Sequence, residues 1–143
     1  MTVTARAETL YTPAILALAT ELARYPMPEA PAFYGEARSP ACGSTLAIGL
    51  DLDETEAIGR FGLRVAACAI GQASAAIFAR HAAGSSPARI AAAQDAVAQW
   101  LAHDGPLPDW PELGQIEAAR AYPARHGAIL LPWKAAVQAL SKG

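Results

Sequence analysis

The sequence has little of three features that would point to a particular class of protein. It contains two cysteines in 143 residues, too few for the disulfide framework of a small secreted domain. Its 11 basic and 13 acidic residues give a net charge of -2, and like charges do not cluster, which argues against a nucleic-acid-binding protein. No apolar stretch approaches the length of about 20 residues that spans a bilayer, so we expect no membrane partner.

Motifs of several enzyme classes are also absent. The chain has no G-x-S-x-G nucleophile elbow, no H-E-x-x-H zinc motif and no P-loop. Its opening stretch, MTVTARAETL, lacks the basic and apolar regions of a secretory signal. We therefore expect a cytoplasmic protein, in which a reducing environment keeps Cys42 and Cys68 as free thiols.

What the sequence does have is the composition of a globular domain. Hydrophobic residues make up 53% of the chain and charged residues 17%, which is typical of a folded protein rather than a disordered one. A chain of this length can bury a core without disulfides. We expect a single domain over residues 1–143.

The spacing of apolar residues predicts a helix followed by a small antiparallel sheet. Thr12 and Pro13 form a helix-start signal, and apolar residues at helical spacing continue until a proline-rich segment ends the helix. Apolar residues then alternate with polar ones over 45–53 and 60–65, which is typical of strands with one buried and one solvent-facing side. Residues 33–37 are predicted to be a third strand, at the edge of the sheet.

The chain beyond the sheet is predicted to be helical. Residues 69–82 form an alanine-rich helix, and a second helix begins at Pro87 behind a serine cap. Two more helices are predicted over 112–121 and 126–140. Pro132 conflicts with the last of them, because a proline kinks a helix unless it lies in the first turn. The order of helix, strands and helices predicts an α+β fold with helices packed on one face of a three-stranded sheet.

The two cysteines lie where a thiol can be either reactive or simply buried. Cys42 occurs in a bend flanked by proline and glycine, SPACGST, which would expose its side chain. Cys68 ends an apolar strand and opens a helix, where unpaired N–H groups favour the thiolate. Because a hairpin can return strand ends to the same edge of the sheet, the two thiols can meet. A free cysteine is more often a buried apolar residue, and the residues alone leave both interpretations open.

Two thiols do not complete a zinc site, which takes three protein ligands when it is catalytic and four when it is structural. The side chains that could add to them are Ser44, Asp51, His81 and His126, none at a diagnostic spacing. His81 stands near the end of a predicted helix, where it is better explained by the helix dipole.

Three segments resemble the iron–sulfur cluster assembly scaffolds of the IscU, SufU and NifU N-terminal type. SPACGSTLAIGLDLD is similar to the family's P-x-C-G-D motif and the strand that follows it, and FGLRVAACAIGQASAAIFA is similar to the segment around its second cysteine. LGQIEAARAYPARHGAILLPWKAAVQAL resembles the SufU-like ending, in which P-A-R, a cysteine and a helix with W-K-A follow one another. The resemblance runs from about Tyr11 to Leu140.

The resemblance implies an α+β protein of the IscU-type fold that holds a transient iron–sulfur cluster or zinc and accepts sulfur from a cysteine desulfurase. In this comparison Cys42 and Cys68 correspond to the first and second cysteines, as sulfur acceptors and metal ligands. The aspartate of the family is replaced here by Ser44. Its third cysteine falls on Ala128, or on Gly127 after a shift of one residue.

His126 lies beside the position of the missing third cysteine. Since imidazole binds zinc and can serve an iron–sulfur centre, His126 is a candidate third metal ligand. It can equally be a histidine in the first turn of a helix that faces water. Because the ligand set is incomplete, the resemblance leaves open that no cofactor is held.

The resulting hypothesis is a scaffold-like protein rather than an enzyme, with zinc-dependent sulfurtransferase activity as the enzymatic alternative. The partners it implies are a cysteine desulfurase and the apo-proteins that receive clusters, but neither nucleic acid nor membrane, and the chain would be a monomer or a homodimer. Two other hypotheses stay open: a metal-free module that docks assembly partners, and a relay that carries persulfide on a cysteine without a stable metal.

Overall fold

The computed structural model of the chain describes residues 11–141. The first helix, α1 (Pro13–Ala19), continues as a 3-10 helix over Thr20–Arg24. Thr12 caps α1, because its Oγ1 accepts a hydrogen bond from the backbone N–H of Ile15 at 3.2 Å. The proline takes the first helical position, where no N–H is needed. The predicted helix start is confirmed.

Three antiparallel strands form one sheet in the order β1-β2-β3. They are β1 (Phe33–Arg38), β2 (Thr45–Leu52) and β3 (Ile58–Ala66). The register sets Gly35 opposite Ile48, and Ile48 opposite Leu63, on the face that carries the core. β1 lies at an edge of the sheet, as the sequence predicts.

The helices that follow the sheet cover this core face. They are α2 (Ala69–Ala82), α3 (Pro87–Ala102), a 3-10 helix over Leu113–Ala121 and α4 (Pro123–Ser141). α4 packs across β1 and β2, and both α2 and α3 pack against α4. Gly35 permits the close approach of α4, because a Cβ on Gly35 would lie 2.6 Å from the backbone nitrogen of Ala139. The α+β fold with helices on one face of the sheet is confirmed.

Aromatic side chains from these helices meet in a common core. Phe78 of α2 and Trp133 of α4 are completely buried, and their rings meet edge to face with centroids 5.6 Å apart. Trp110 stacks on Phe78 at 5.5 Å and meets Trp133 edge to face, also at 5.5 Å. Over residues 11–141, no helix has the combination of length and apolar character that crossing a bilayer requires.

The outer face of the sheet is less exposed than the alternating pattern predicts. Gly49 of β2 and Gly62 of β3 stand opposite each other on this face, and both are buried. The connection between α1 and β1 lies over them: a Cβ on Gly62 would lie 2.9 Å from Met27 Cα, and one on Gly49 would lie 2.8 Å from Pro31 Cγ. The prediction of a solvent-facing side is therefore wrong at the centre of the sheet, because two glycines leave room for a covering segment.

Two of the predicted helices differ from those observed. The stretch over 112–121 is a 3-10 helix with a non-helical residue inside it, and Glu112 before it has a positive φ of 73°. The last helix begins at Pro123 instead of residue 126, since a proline is well suited to the first position of a helix.

Pro132 lies inside α4, beyond its first turn. The fully buried Ser74 of α2 donates a hydrogen bond from its Oγ to the carbonyl of Ile129 at 2.6 Å. Pro132 has no N–H to donate to the carbonyl of Ala128, four residues before it, and the bond from Ser74 goes to the next carbonyl along, that of Ile129.

Candidate functional site

Cys42 lies in the hairpin that joins β1 to β2. The loop is closed by two backbone hydrogen bonds, from the Ser39 N–H to the carbonyl of Ser44 and from the Gly43 N–H to the carbonyl of Ser39, both at 2.8 Å. Gly43 has a φ of +73°, which glycine adopts without strain. This geometry leaves Cys42 half-buried at the tip of the hairpin.

Two serine hydroxyls surround the thiol of Cys42. Its Sγ lies 3.1 Å from Ser44 Oγ, where either atom can donate, and it donates to Ser39 Oγ at 3.5 Å. Both serines are buried, with 1% of Ser39 and 5% of Ser44 exposed. A hydroxyl can rotate to donate when the thiol loses its proton. Hydrogen bonds from Ser39 and Ser44, with the positive charge of Arg125, lower the pKa of the Cys42 thiol and favour the thiolate.

Cys68 lies at the junction between β3 and α2. It is the N-cap residue of α2, with extended backbone, and its carbonyl accepts a hydrogen bond from the Gln72 N–H at 2.9 Å. Its half-buried side chain packs against the hydrophobic core. The prediction that this cysteine opens a helix is therefore confirmed, but the strand before it ends two residues earlier, at Ala66. Its surroundings differ from those of Cys42, whose partners are hydroxyl groups.

The hairpin and the junction lie at the same end of the sheet. Thr45, which follows the Cys42 loop, pairs with Ala66, which precedes the Cys68 junction. The first turns of α4 reach the same place. A Cβ on Gly127 would collide with Ser39 Oγ and lie 3.1 Å from Ser39 Cβ, while Ala128 Cβ would lie 3.3 Å from a Cβ on Gly71 in α2.

The two positions that could correspond to the third cysteine of the family therefore face different neighbours. Gly127 faces Ser39 and, through it, Cys42. Ala128 is completely buried and faces the first turn of α2, just beyond Cys68. The three segments that carry the family resemblance come together here, although only two of them bring a thiol.

His126 and Arg125 lie in the first turn of α4, both half-buried. His126 Nε2 lies 2.8 Å from the carbonyl of Arg120. Because a carbonyl only accepts, Nε2 carries the hydrogen and Nδ1 is left as the free lone pair. Arg125 has a role that sequence reasoning missed: its charge acts on Cys42. The P-A-R sequence, which forms the first turn of α4, was a signal for it, but only the folded chain lets this charge act on the hairpin.

The other proposed ligands lie elsewhere. Asp51 is near the opposite end of β2 from Thr45, where it accepts hydrogen bonds from the Arg60 side chain at 2.8 Å and from the Ala32 N–H at 2.7 Å. His81 is in the last turn of α2, with Nε2 2.7 Å from Glu112 Oε2. In the part of the chain that the structure describes, no three or more His, Cys, Asp or Glu side chains are grouped so that they could hold a metal ion.

The fold of this chain is shared by solved structures of other proteins. No protein-family model and no curated protein matches the sequence. Among solved structures, the chain is similar to a nitrogen-fixing NifU-like protein (N-terminal) from Brucella abortus, with 29% identity, a TM-score of 0.87 and 96% of each chain covered. It is also similar to a protein from Fervidobacterium islandicum assigned as an iron–sulfur cluster assembly scaffold for the SUF system. That match has 22% identity and a TM-score of 0.79, and covers 94% of this chain and 98% of the other.

A third solved structure, of a hypothetical protein, has 20% identity and a TM-score of 0.70, with 89% of this chain and 96% of the other covered. The fold is thus an α+β fold of the NifU and SufU type. The resemblance to the iron–sulfur cluster assembly scaffold family of the IscU, SufU and NifU type is confirmed. The chain has Ser44, Gly127 and Ala128 at the positions where the resemblance implies an aspartate and a third cysteine.

Proposed function

We propose that this chain is an iron–sulfur cluster assembly scaffold-like protein that accepts sulfur from a cysteine desulfurase at Cys42. The observation that carries the proposal is the meeting of the Cys42 hairpin, the Cys68 junction and the first turn of α4 at one end of the sheet. The half-buried thiol of Cys42 lies in a hairpin tip, with its pKa lowered by the hydroxyls beside it. A thiolate at such a position is available to a second protein.

The proposed sulfur transfer is a thiol exchange that needs no oxidant. The Cys42 thiolate attacks the outer sulfur of a cysteine persulfide on the desulfurase, and an S–S bond forms between that sulfur and Cys42 Sγ. The S–S bond to the desulfurase cysteine breaks, and that cysteine leaves as a thiolate. One S–S bond replaces another, so that electrons balance, and the product is a persulfide on Cys42.

An iron–sulfur cluster is the cargo of the protein in this proposal. Cys42 and Cys68 would each supply a thiolate, whereas His126, bonded to the Arg120 carbonyl, is not grouped with them in the part of the chain that the structure describes. Clusters are commonly held by about four protein ligands, so that the rest must come from outside this chain: an external thiol, a partner protein or a second copy. Incomplete ligation by the chain itself suits a protein that passes its cluster on to an apo-protein. We place this activity in the cytoplasm.

Anaerobic reconstitution with iron, cysteine and a cysteine desulfurase tests the proposal. We expect a visible absorbance band from the cluster and, in samples without iron, the mass of one added sulfur atom on Cys42. Cys42→Ser should lose both signals, whereas Cys68→Ser should keep the sulfur and lose the cluster. Ser141→Ala, which changes an exposed serine at the far end of α4, should behave as wild type. Sulfur transfer and cluster formation that survive in Cys42→Ser would exclude the proposed role.

A second candidate function is a metal-free module that docks assembly partners. It is favoured by the replacement of the aspartate and the third cysteine by Ser44 and by Gly127 or Ala128. A binding assay separates the two functions. If a desulfurase binds wild type and the Cys42→Ser/Cys68→Ser double variant equally, while no sulfur reaches either cysteine, the docking function is the correct one.

A further inference from the structure

The donor groups at this site do not fit the zinc ion that the resemblance implies. A zinc site takes at least three protein ligands from thiolate, imidazole and carboxylate groups. Cys42 and Cys68 supply two thiols, and within residues 11–141 no further His, Asp or Glu side chain stands close enough to complete a metal-sized group with them. His126 is oriented by its bond to the Arg120 carbonyl and does not join them in such a group.

Serine hydroxyls stand at the place of the family's aspartate and beside one of the two candidate positions of its third cysteine. Ser44 stands where the aspartate would be, two residues beyond Cys42, and its Oγ lies 3.1 Å from the sulfur. Ser39 Oγ lies in the space that a side chain on residue 127 would take, which is one of the two positions for the third cysteine. Neutral hydroxyls are not among the usual ligands of zinc, but they are good hydrogen-bond donors to a negatively charged sulfur.

The burial of these serines keeps their hydroxyl groups, rather than water, beside the Cys42 sulfur. Only 1% of Ser39 and 5% of Ser44 is exposed, so that water does not readily replace either hydroxyl beside Cys42. The loop is also fixed by the backbone hydrogen bonds between Ser39 and Ser44 and between Gly43 and Ser39. Each hydroxyl is therefore held near the sulfur by the hairpin itself, without a metal ion.

We propose that Cys42 takes up and retains sulfur at a site with no zinc of its own, positioned by the Ser39 and Ser44 hydroxyls in place of metal ligands. This inference rests on the proposed function for the identity of the sulfur donor, but the retention of sulfur itself can be measured without a desulfurase. The donor in the test is a low-molecular-weight persulfide. Its outer sulfur moves to Cys42 as one S–S bond forms and another breaks, and the small thiolate leaves.

The experiment combines metal analysis with mass spectrometry of the Cys42 persulfide. We expect wild-type protein purified with zinc present to hold far less than one zinc per chain. Its persulfide should form at the same rate with and without a strong chelator. Ser39→Ala and Ser44→Ala should each shorten the persulfide lifetime about fivefold, as expected when one ordinary hydrogen bond to Sγ is lost, while Ser141→Ala should leave it unchanged. The variants' circular dichroism and thermal unfolding should match wild type.

Restoring two ligands of the family pattern should create a zinc site that wild type lacks. Ser44→Asp combined with Ala128→Cys adds a carboxylate and a thiol, and the double variant should bind one zinc ion where wild type does not. Stoichiometric zinc in wild type, loss of the persulfide with chelator, no persulfide from the small donor, or lifetimes unchanged in both serine variants would each overturn the inference. If the small donor loads Cys42 but no desulfurase does, the inference stands and the proposed function fails.

Discussion

Ser39 and Gly127 are complementary in shape: the Ser39 hydroxyl occupies the space in which a side chain on residue 127 would lie, and a Cβ there would stand 3.1 Å from Ser39 Cβ. The two residues belong to different parts of the chain, the β1–β2 hairpin and the first turn of α4. Their contact joins the Cys42 loop to α4. The observed packing therefore requires a glycine at position 127, where a side chain would have no room.

The first prediction concerns this contact. Gly127→Ala should lower the free energy of unfolding by about 1–3 kcal/mol, because the added Cβ overlaps Ser39 Oγ in a tightly packed place. Ser39→Ala/Gly127→Ala should recover much of that loss, since the double variant removes the overlapping atom. Urea unfolding measures both. Gly114→Ala is the control, because the nearest neighbour of its Cβ would be 3.9 Å away. Equal losses at residues 114 and 127 would contradict the prediction.

The second prediction concerns the pH dependence of Cys42. Hydrogen bonds from Ser39 and Ser44 lower the pKa of this thiol below its ordinary value of 9.0. Raising the pH converts thiol to the reactive thiolate, so that a lowered pKa moves the rise in reaction rate to lower pH. In a Cys68→Ser background, the rate of alkylation should reach half its maximum below that value.

The serine variants separate the causes of this shift. Ser39→Ala should move the midpoint up the most, since the hydroxyl of Ser39 makes the largest contribution, and Ser44→Ala should move it up as well. The exposed Ser141→Ala change should have no effect. A midpoint at or above the ordinary value in the background protein would show that the hydroxyls do not favour the thiolate.

The third prediction concerns the glycines under the segment that covers the sheet. Gly62→Ala should destabilise the protein by about 1–3 kcal/mol or more, because its Cβ would overlap the backbone of Pro26 and Met27 and overpacking is costly. Gly59→Ala, in the same strand, has its nearest neighbours at 3.8 Å and should change stability by about 0.5 kcal/mol or less. Thermal unfolding of the two variants compares them directly. A tolerated Gly62→Ala would mean that the covering segment is not closely packed.

The fourth prediction concerns the stability of the protein at acidic pH. Arg80 forms ion pairs with both Glu21 and Glu112, and His81 bonds to Glu112 as well. The hydrogen bond from Arg80 lowers the pKa of Glu21. Burial acts to raise the pKa of Glu112, but its bond to His81 and the charge of Arg80 outweigh burial and lower it. Because both folded pKa values lie below the ordinary value of 4.5, the stabilisation is present above that pH and is lost as the pH falls through the lowered values.

Arg80→Met should therefore reduce the free energy of unfolding at neutral pH by about 1 kcal/mol, the upper end for partly exposed ion pairs. The variant should also lose less stability than wild type between neutral and acidic pH. The exposed Arg64→Met change provides the control. Parallel pH profiles for wild type and Arg80→Met would show that this cluster does not contribute to acid sensitivity.

Local signals in the sequence predicted most of the fold. Thr12 with Pro13 and a serine with Pro87 start helices where expected, because capping and the fixed φ of proline act within one turn. Alternation gave the strands, since side chains of a strand point to opposite faces in turn. The stretch over 112–121 was one exception: the positive φ of Glu112 and its contacts with Arg80 and His81 depend on α2, which lies far away in the sequence.

The sequence by itself determined the α+β order of elements, the two thiols and the places where the family pattern is broken. Only the tertiary structure decided what surrounds those thiols. Hydroxyl groups lie beside Cys42 and the core lies beside Cys68, Ser39 fills the space at Gly127, and Arg125 acts on the hairpin from α4. The physical reason is range: helix caps and strand alternation arise from neighbours in the chain, whereas the chemistry of a thiol depends on the atoms that packing places next to its sulfur.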